Sequence, residues 1–547
     1  MALPPSTSLP PAHAPAPRWV LHPTLLAAAW VLDIALANQV EPAGFVRSLL
    51  VAVAAATVLT LLAWAATGDR LLGGMIAIGL VIGAISLRPL DTGWEFVRST
   101  FGPDAAMGAL GGVLFVALAF PALLIVRAMR GGSLVRAPAT SVLNRLSVVL
   151  VVVVLVYHVV PDLPRGFARA TRAAEPVSVH VNAADRPDIY LILVDGYPRA
   201  DVLDRLFGID NSPFLTALRE RGFDVAEESR SNYVFTQLTL TSMFQMRHVE
   251  EVDGLGELVG TRGAHAADLR SAITSGAAFA ALRAAGYGID VTLPGYEHVA
   301  LRDAADNVWD HGELNELERE LLARTWVLDL ITRVVPDVFA GPQRDRIVHA
   351  FDGLDGAAAS LRAQAVGGLR GQPRFDWVHI PAPHLPLVLK EDGTTRPLDA
   401  RLFDPPSVEG FGLTDAEMAA GIAAELQYLN ARLLSAVDAL QAATDDAPDQ
   451  PEPVIVIFSD HGYYYDHADT QARFANFLAA YTPGARGLLG GSPTPVNFLP
   501  LLLNRYLGTE FPMSADRYFV SPGTLRLLEL TEVTDPECPP ACAGRLP

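Results

Sequence analysis

Five apolar windows, at roughly 19–38, 46–67, 71–90, 105–127 and 143–160, fill most of the first 160 residues. Each is near the ~20 residues that a helix needs to cross a bilayer. A cleaved leader would account for the first window only, so a membrane region of about five spans is expected over 19–160. One or two of the windows also fit buried helices of a soluble core, and 143–160 is the shortest. The composition agrees with lipid contact, since 50% of the 547 residues are hydrophobic. Residues 1–18, rich in Pro, Ala and Ser, read as a tail without a core.

Charge orients the spans. Between the fourth and fifth windows stand Arg127, Arg130, Arg136 and Arg145 with no acid, whereas the loop between the third and fourth mixes Arg88 and Arg98 with Asp91, Glu95 and Asp104. The positive-inside rule places the first loop in the cytoplasm, and an odd number of spans then puts the rest of the chain outside. The expected location is the inner cell membrane, multi-pass, with an extracytoplasmic domain. A net charge of -19 argues against nucleic acid as a partner. The two cysteines, Cys538 and Cys542, can staple only the tail at 526–547. Lys390 is the single lysine, which excludes a P-loop.

After a polar linker at 161–186 the pattern becomes that of an α/β domain, taken as 187–525. Apolar runs at 188–196, 222–232, 287–295, 375–383 and 453–462 read as strands, with helical stretches near 211–221, 276–285, 344–364 and 414–443. Strands buried on both faces and separated by helices indicate an α/β sandwich with a mostly parallel central sheet. Ligands in such sheets collect at the carboxyl ends of the strands.

Two strand ends carry chemistry. "DIYLILVDG" closes on Asp195, and "PVIVIFSDHG" closes on Asp460 and His461. In isolation "VDG" equally describes a strand followed by a turn. An adjacent Asp-His pair at a buried strand end is costly unless something satisfies it, and a divalent cation shared with Asp195 would do so. In "SNYVFTQLTLTSMF" a turn leads into a helix with Thr236 near its first turn and Thr239, Thr241 and Ser242 behind it. A hydroxyl there sits in a field that favours negative charge, although such residues also serve as plain caps.

Together these segments resemble the alkaline phosphatase superfamily. Within it they are most similar to the sulfatase-like membrane enzymes: lipoteichoic acid synthases, phosphoglycerol transferases and phosphoethanolamine transferases. "PDIYLILVDGYPRADVL" resembles the first strand with its metal-binding acid, Asp195. "SNYVFTQLTLTSMF" resembles the nucleophile segment, with Thr236 as nucleophile and Thr239 as the second hydroxyl. "FDWVHIPAPHLPLVL" supplies His384, with His379 nearby, and "VIFSDHG" the paired ligands Asp460 and His461. The sulfatase Cys-x-Pro-Ser-Arg segment is missing, because position 236 is Thr. So are the several disulfides of the phosphoethanolamine transferases.

The resemblance implies an alkaline phosphatase-like fold with a divalent metal, Zn or Mn, on Asp195, Thr236, Asp460 and His461. Catalysis would rest on Thr236 and His384, with His379, His467 and Thr239 toward substrate. The implied activity moves a phosphoglycerol or phosphoethanolamine head group from a phospholipid donor to an envelope glycan or lipid acceptor through a phosphothreonine. A hydrolase of the same fold, a phosphodiesterase or phosphatase, and a catalytically silent scaffold or sensor are the alternatives.

Overall fold

The computed structural model describes residues 18–101, 130, 133–170, 178–180, 186–261, 265–325, 340–367, 371–396, 414–445, 450–463, 469–523 and 526–533. The window at 105–127, His467, Cys538 and Cys542, and most of the tails at 1–18 and 526–547 lie outside them. The chain divides into two compact units, one built chiefly from the N-terminal helices through Asp162 and one chiefly from the chain beyond Leu163.

In the first unit, helices His22–Ala37, Pro42–Thr67 and Arg70–Phe101 are followed by Ser133–Ala170. Ala27, Ala56 and Val81 meet where the first three pack. Only two helices among the described residues, Pro42–Thr67 and Val135–Pro164, are long and apolar enough to cross a membrane, and only 11% of each apolar window is buried. Two clear spans, not about five, are thus found among the described residues, and the fourth window lies outside them. The first window forms a helix of 16 residues, about 24 Å at 1.5 Å per residue, short of a hydrocarbon core of about 30 Å. The third contributes a comparably short apolar stretch, Arg70–Ile85. The last helix continues to Ala170 through Pro161 and Pro164, into the expected linker, where each proline forfeits a hydrogen bond without ending the helix.

The second unit is organised on a seven-stranded sheet of β1 (Ile189–Val194), β2 (Asp224–Val225), β3 (Gly288–Thr292), β4 (Asn307–Trp309), β5 (Arg374–Ile380), β6 (Val454–Phe458) and β7 (Leu478–Tyr481). Their order is β2-β7-β6-β1-β5-β3-β4. β1 pairs in parallel with both β5 and β6, β3 in parallel with β5 and β4, and β7 runs antiparallel to its two neighbours. A mixed, mostly parallel sheet is thus observed.

Alternation along β1 assigns the two layers. Ile189, Leu191 and Leu193 face a core with Phe244, Phe279 and Phe498, while Tyr190, Ile192 and Val194 face one with Phe214, Phe351 and Leu429. Helices Thr236–Gln245, Ala277–Ala284 and Phe498–Leu507 therefore cover one face, and Ser212–Glu220, Ala340–Val366 and Asp415–Ala442 the other. Fully burying a large apolar side chain contributes about 1.5–3 kcal/mol, which is why the central strands read as unbroken apolar runs.

One buried acid holds the chain that follows β5. Glu425, fully buried on helix Asp415–Ala442, accepts hydrogen bonds from the backbone N–H of Val388 (2.5 Å) and Leu389 (2.9 Å). Burial pushes its pKa from 4.5 up to about 8, against those two bonds and the charge of Arg396. Because the folded state holds this proton more tightly than the unfolded chain, the stability it contributes is complete below pH 4.5 and is lost as pH rises toward 8. Glu425→Gln, which keeps the accepting oxygen, is expected to flatten that part of the stability-versus-pH curve. Glu425→Ala should cost on the order of 3 kcal/mol at pH 6 by stranding two donors. Denaturant melts between pH 5 and 8 check both; an unchanged slope in Glu425→Gln would rule out the buried proton.

Candidate active site

Because β1, β5 and β6 are parallel neighbours, Asp195, His379 and the Asp460-His461 pair emerge at one edge of the sheet. Asp195 follows β1 directly, and its N–H donates to Ile380 O of β5 (3.0 Å). Asp460 and His461 leave β6 after Ser459. Tyr197 N–H donates to the Ser459 hydroxyl (2.8 Å), which donates in turn to His461 O (2.7 Å). Asn476 Nδ2 donates to Ser459 O (2.5 Å), and its Oδ1 accepts from the Ser229 hydroxyl (2.8 Å). This brace was not anticipated from the sequence, apart from the position of Ser459 beside the Asp-His pair.

Two glycines permit the approach. Gly196 has φ +69°, outside the range comfortable for other residues, and its N–H donates to Asp460 Oδ1 (3.3 Å). A Cβ on Gly462 would collide with the carbonyl oxygens of Ala472 and Ala475. Gly462→Ala is therefore expected to lower stability by at least about 2 kcal/mol and to weaken metal binding with it. A thermal melt with and without zinc reads both, and a wild-type profile would sink the close-packing argument.

Ligand atoms of Asp195, Asp460 and His461 lie within 4.8 Å of one another, and all three residues are buried. His461 Nε2 stands 3.4 Å from Asp460 Oδ2 and 3.8 Å from Asp195 Oδ1. Its Nδ1 is 2.8 Å from Gly462 O, so a proton held there leaves Nε2 in the acceptor form that a metal requires. Neither Asp195 Oδ1 nor Asp460 Oδ2 meets a well-formed protein hydrogen bond. Two converging buried carboxylates with unspent oxygens and an imidazole nitrogen between them suit a divalent cation of the zinc or manganese class.

The electrostatics fit that description. Burial drives the Asp195 pKa up, but His384, His379 and His461 together outweigh it and hold the carboxyl down at about 2. Asp460 is pushed above the usual carboxylate range by burial and by the Asp195 charge, against the opposing pull of His461, a hydrogen bond from Thr236 and His379. The Thr236 hydroxyl thus sits beside the Asp460 carboxylate, at the first residue of helix Thr236–Gln245.

The remaining expected residues divide. His379, fully buried in β5, places Nε2 2.9 Å from Asp195 Oδ2 and orients that carboxylate. Thr239 is fully buried and donates to Asp460 O (3.0 Å). Both had been expected toward substrate; their polar contacts point into the site's support, because the helix turn and the strand register aim them inward. His384 lies between two cis peptides, Ala382–Pro383 and Leu385–Pro386, with Nδ1 2.8 Å from Leu385 O and its ring centre 6.3 Å from that of His461. Tyr296, unforeseen in the sequence, brings its hydroxyl within 3.4 Å of His384 Nδ1.

No family model matches the chain, and no curated protein matches it. Among solved structures it is similar to the C-terminal periplasmic domain of EptC from Escherichia coli, at 12% identity over 64% of this chain and 93% of that one, with a TM-score of 0.36. The soluble domain of lipooligosaccharide phosphoethanolamine transferase A from Neisseria meningitidis matches at 11% identity over 60% and 92%, with a TM-score of 0.35. BT1596, a 2-O GAG sulfatase, matches at 12% identity over 61% and 77%, with a TM-score of 0.38.

Proposed function

We propose that this chain is a membrane-anchored, metal-dependent phosphotransferase of the sulfatase-like type. It would transfer a phosphoglycerol or phosphoethanolamine head group from phospholipid to an envelope glycan or lipid. The observation that carries the reading is the Thr236 hydroxyl at a helix N-terminus beside Asp460, which itself clusters with Asp195 and His461. Asp195, Asp460 and His461, with the Thr236 oxygen, would hold a divalent ion of the zinc or manganese class, which would supply positive charge to acidify a hydroxyl and offset charge on phosphoryl oxygens.

The chain's own residues do the rest. Thr236 Oγ1 attacks phosphorus while its proton passes toward Asp460, and the bond to the diacylglycerol oxygen breaks. The departing alkoxide takes a proton from His384, which lies on the same side as His461. An acceptor alcohol then attacks the phosphothreonine and gives its proton back to His384, while the bond from phosphorus to Thr236 Oγ1 breaks and that oxygen recovers its proton from Asp460. His379 keeps the Asp195 carboxylate turned into the site. The two long apolar helices support placement in the inner membrane, and the arginine-rich loop between the fourth and fifth windows supports an extracytoplasmic domain.

Intact-protein mass spectrometry after incubation with phospholipid tests this. An ethanolamine-phosphate or glycerol-phosphate adduct on Thr236 identifies the donor. Rapid lipid breakdown with no adduct would overturn transfer in favour of hydrolysis.

A further inference from the structure

A second cluster of ligand-type side chains, His311, Glu313 and His349, lies away from the strand-end residues. His311 and Glu313 belong to the segment between β4 and helix Glu316–Ala323, and His349 to helix Ala340–Val366. The two imidazoles stack with centroids 4.0 Å apart and planes 25° from parallel. His349 Nδ1 is 2.5 Å from Glu313 Oε1. One ligand atom from each of the three residues falls within 4.8 Å of the other two.

From these contacts we infer a second metal site, His311-Glu313-His349, selective for a zinc-class transition ion and separate from the strand-end cluster. Two imidazoles and one carboxylate favour zinc, cobalt, nickel or copper over magnesium or calcium, which prefer all-oxygen shells. Ligands at 2.0–2.1 Å around a tetrahedral ion stand roughly 3.3 Å apart, so the three groups need only a small inward rotation. His311 is exposed and can make that rotation, whereas the Glu313 carboxylate, 9% exposed, is fixed. Three protein ligands beside solvent leave a coordination position for water.

The position of the site gives it a consequence. Arg346, one turn before His349, donates to the carbonyl oxygens of Glu313 and Leu314 (both 3.2 Å), so the segment already rests on this helix. Upstream, between β3 and β4, stands Tyr296, whose hydroxyl approaches His384. Further back on the helix, Gln343 donates to Pro381 O (3.3 Å) and accepts from Arg319 (2.6 Å), whose guanidinium stands 5.9 Å above the Tyr296 ring. His349 is six residues beyond Gln343, about 9 Å of helix rise, which separates the ion from the residues around His384. A bound ion there would pin the segment between β4 and helix Glu316–Ala323 to helix Ala340–Val366.

Zinc stoichiometry of the metal-stripped full chain in detergent, titrated with zinc and counted after dialysis, decides the matter. The wild type should take up two equivalents, H311A/H349A one, D460N one, and the combined variant none. An H311A/H349A count equal to that of the wild type would overturn the site. Cobalt loaded into D460N should give visible absorption bands that disappear with H349A; their persistence would also overturn it. The count for H311A/H349A is independent of whether Thr236 becomes phosphorylated, so the two readings fail separately.

Discussion

Thr236→Ala should abolish head-group release, by at least about three orders of magnitude in kcat/KM, while the chain remains folded. The asymmetry follows from what the hydroxyl does. It stands at the first residue of helix Thr236–Gln245, is only half-buried, and its polar contact is with the Asp460 carboxylate. Alanine at that position loses no packing of consequence and has the higher helix propensity, so stability should change by less than about 1 kcal/mol. Thr236→Ser keeps the oxygen at the same place and should retain measurable turnover. By contrast Thr239→Ala removes a fully buried hydroxyl that braces Asp460 O, and should show in stability as much as in rate. Release of diacylglycerol from a fluorescent phospholipid, read beside a thermal melt, separates the cases. Full activity in Thr236→Ala would move the nucleophile to another hydroxyl of the same helix.

What could be read in the sequence tracks how local the cause is. β1 and β6 were legible because strands buried on both faces must be continuous apolar runs, and the acids closing them stand out against that background. Helix Asp415–Ala442 was legible within two residues, and its start carries a full capping box between Thr414 and Glu417. β4 was not legible: Asn307–Trp309 is exposed throughout and owes its strand conformation to β3 beside it. Glu425 was hidden for a related reason, since its partners Val388 and Leu389 lie some 36 residues away and only the folded chain joins them. The count of membrane helices failed where hydropathy windows ignore helix length: a 16-residue helix satisfies the window and falls short of the bilayer.

The candidate site divides along the same line. Asp195, Asp460 and His461 are named by their own strands, so the parallel order of β5, β1 and β6 had only to bring those ends together. Tyr296 sits in a segment of irregular turns and short 3-10 helices, and nothing local marks it as a neighbour of His384. His379 was visible as a histidine, but its bond to Asp195 depends on the β1–β5 register that pairs it with Leu193. Residues that support a site through register or loop packing are invisible to motif reading, whereas those that end a buried strand announce themselves.

Asp460→Asn should separate function from stability in the opposite sense to an ordinary core mutation. In the metal-stripped protein Asp195 and Asp460 face each other with ligand atoms within 4.8 Å. At an effective dielectric of 20, two unit charges at that distance repel by about 3 kcal/mol, only partly offset by the surrounding histidines. Asparagine keeps an oxygen to accept from Gly196 N–H and removes the repulsion, so the stripped variant should melt a few degrees above the stripped wild type. Zinc then reverses the order: it should raise the wild-type midpoint by several degrees, as expected for a ligand that binds only the folded state, and leave the strand-end site of the variant empty. Activity should fall by at least about a thousandfold, because the charge that acidifies Thr236 and steadies the phosphoryl oxygens goes with the ion. The measurement is a set of four melts, wild type and variant with and without zinc, repeated in the H311A/H349A background so that only the strand-end ion is read. A stripped variant less stable than the stripped wild type would mean that the two carboxylates are satisfied by the protein itself, and the case for a cation between them would be lost.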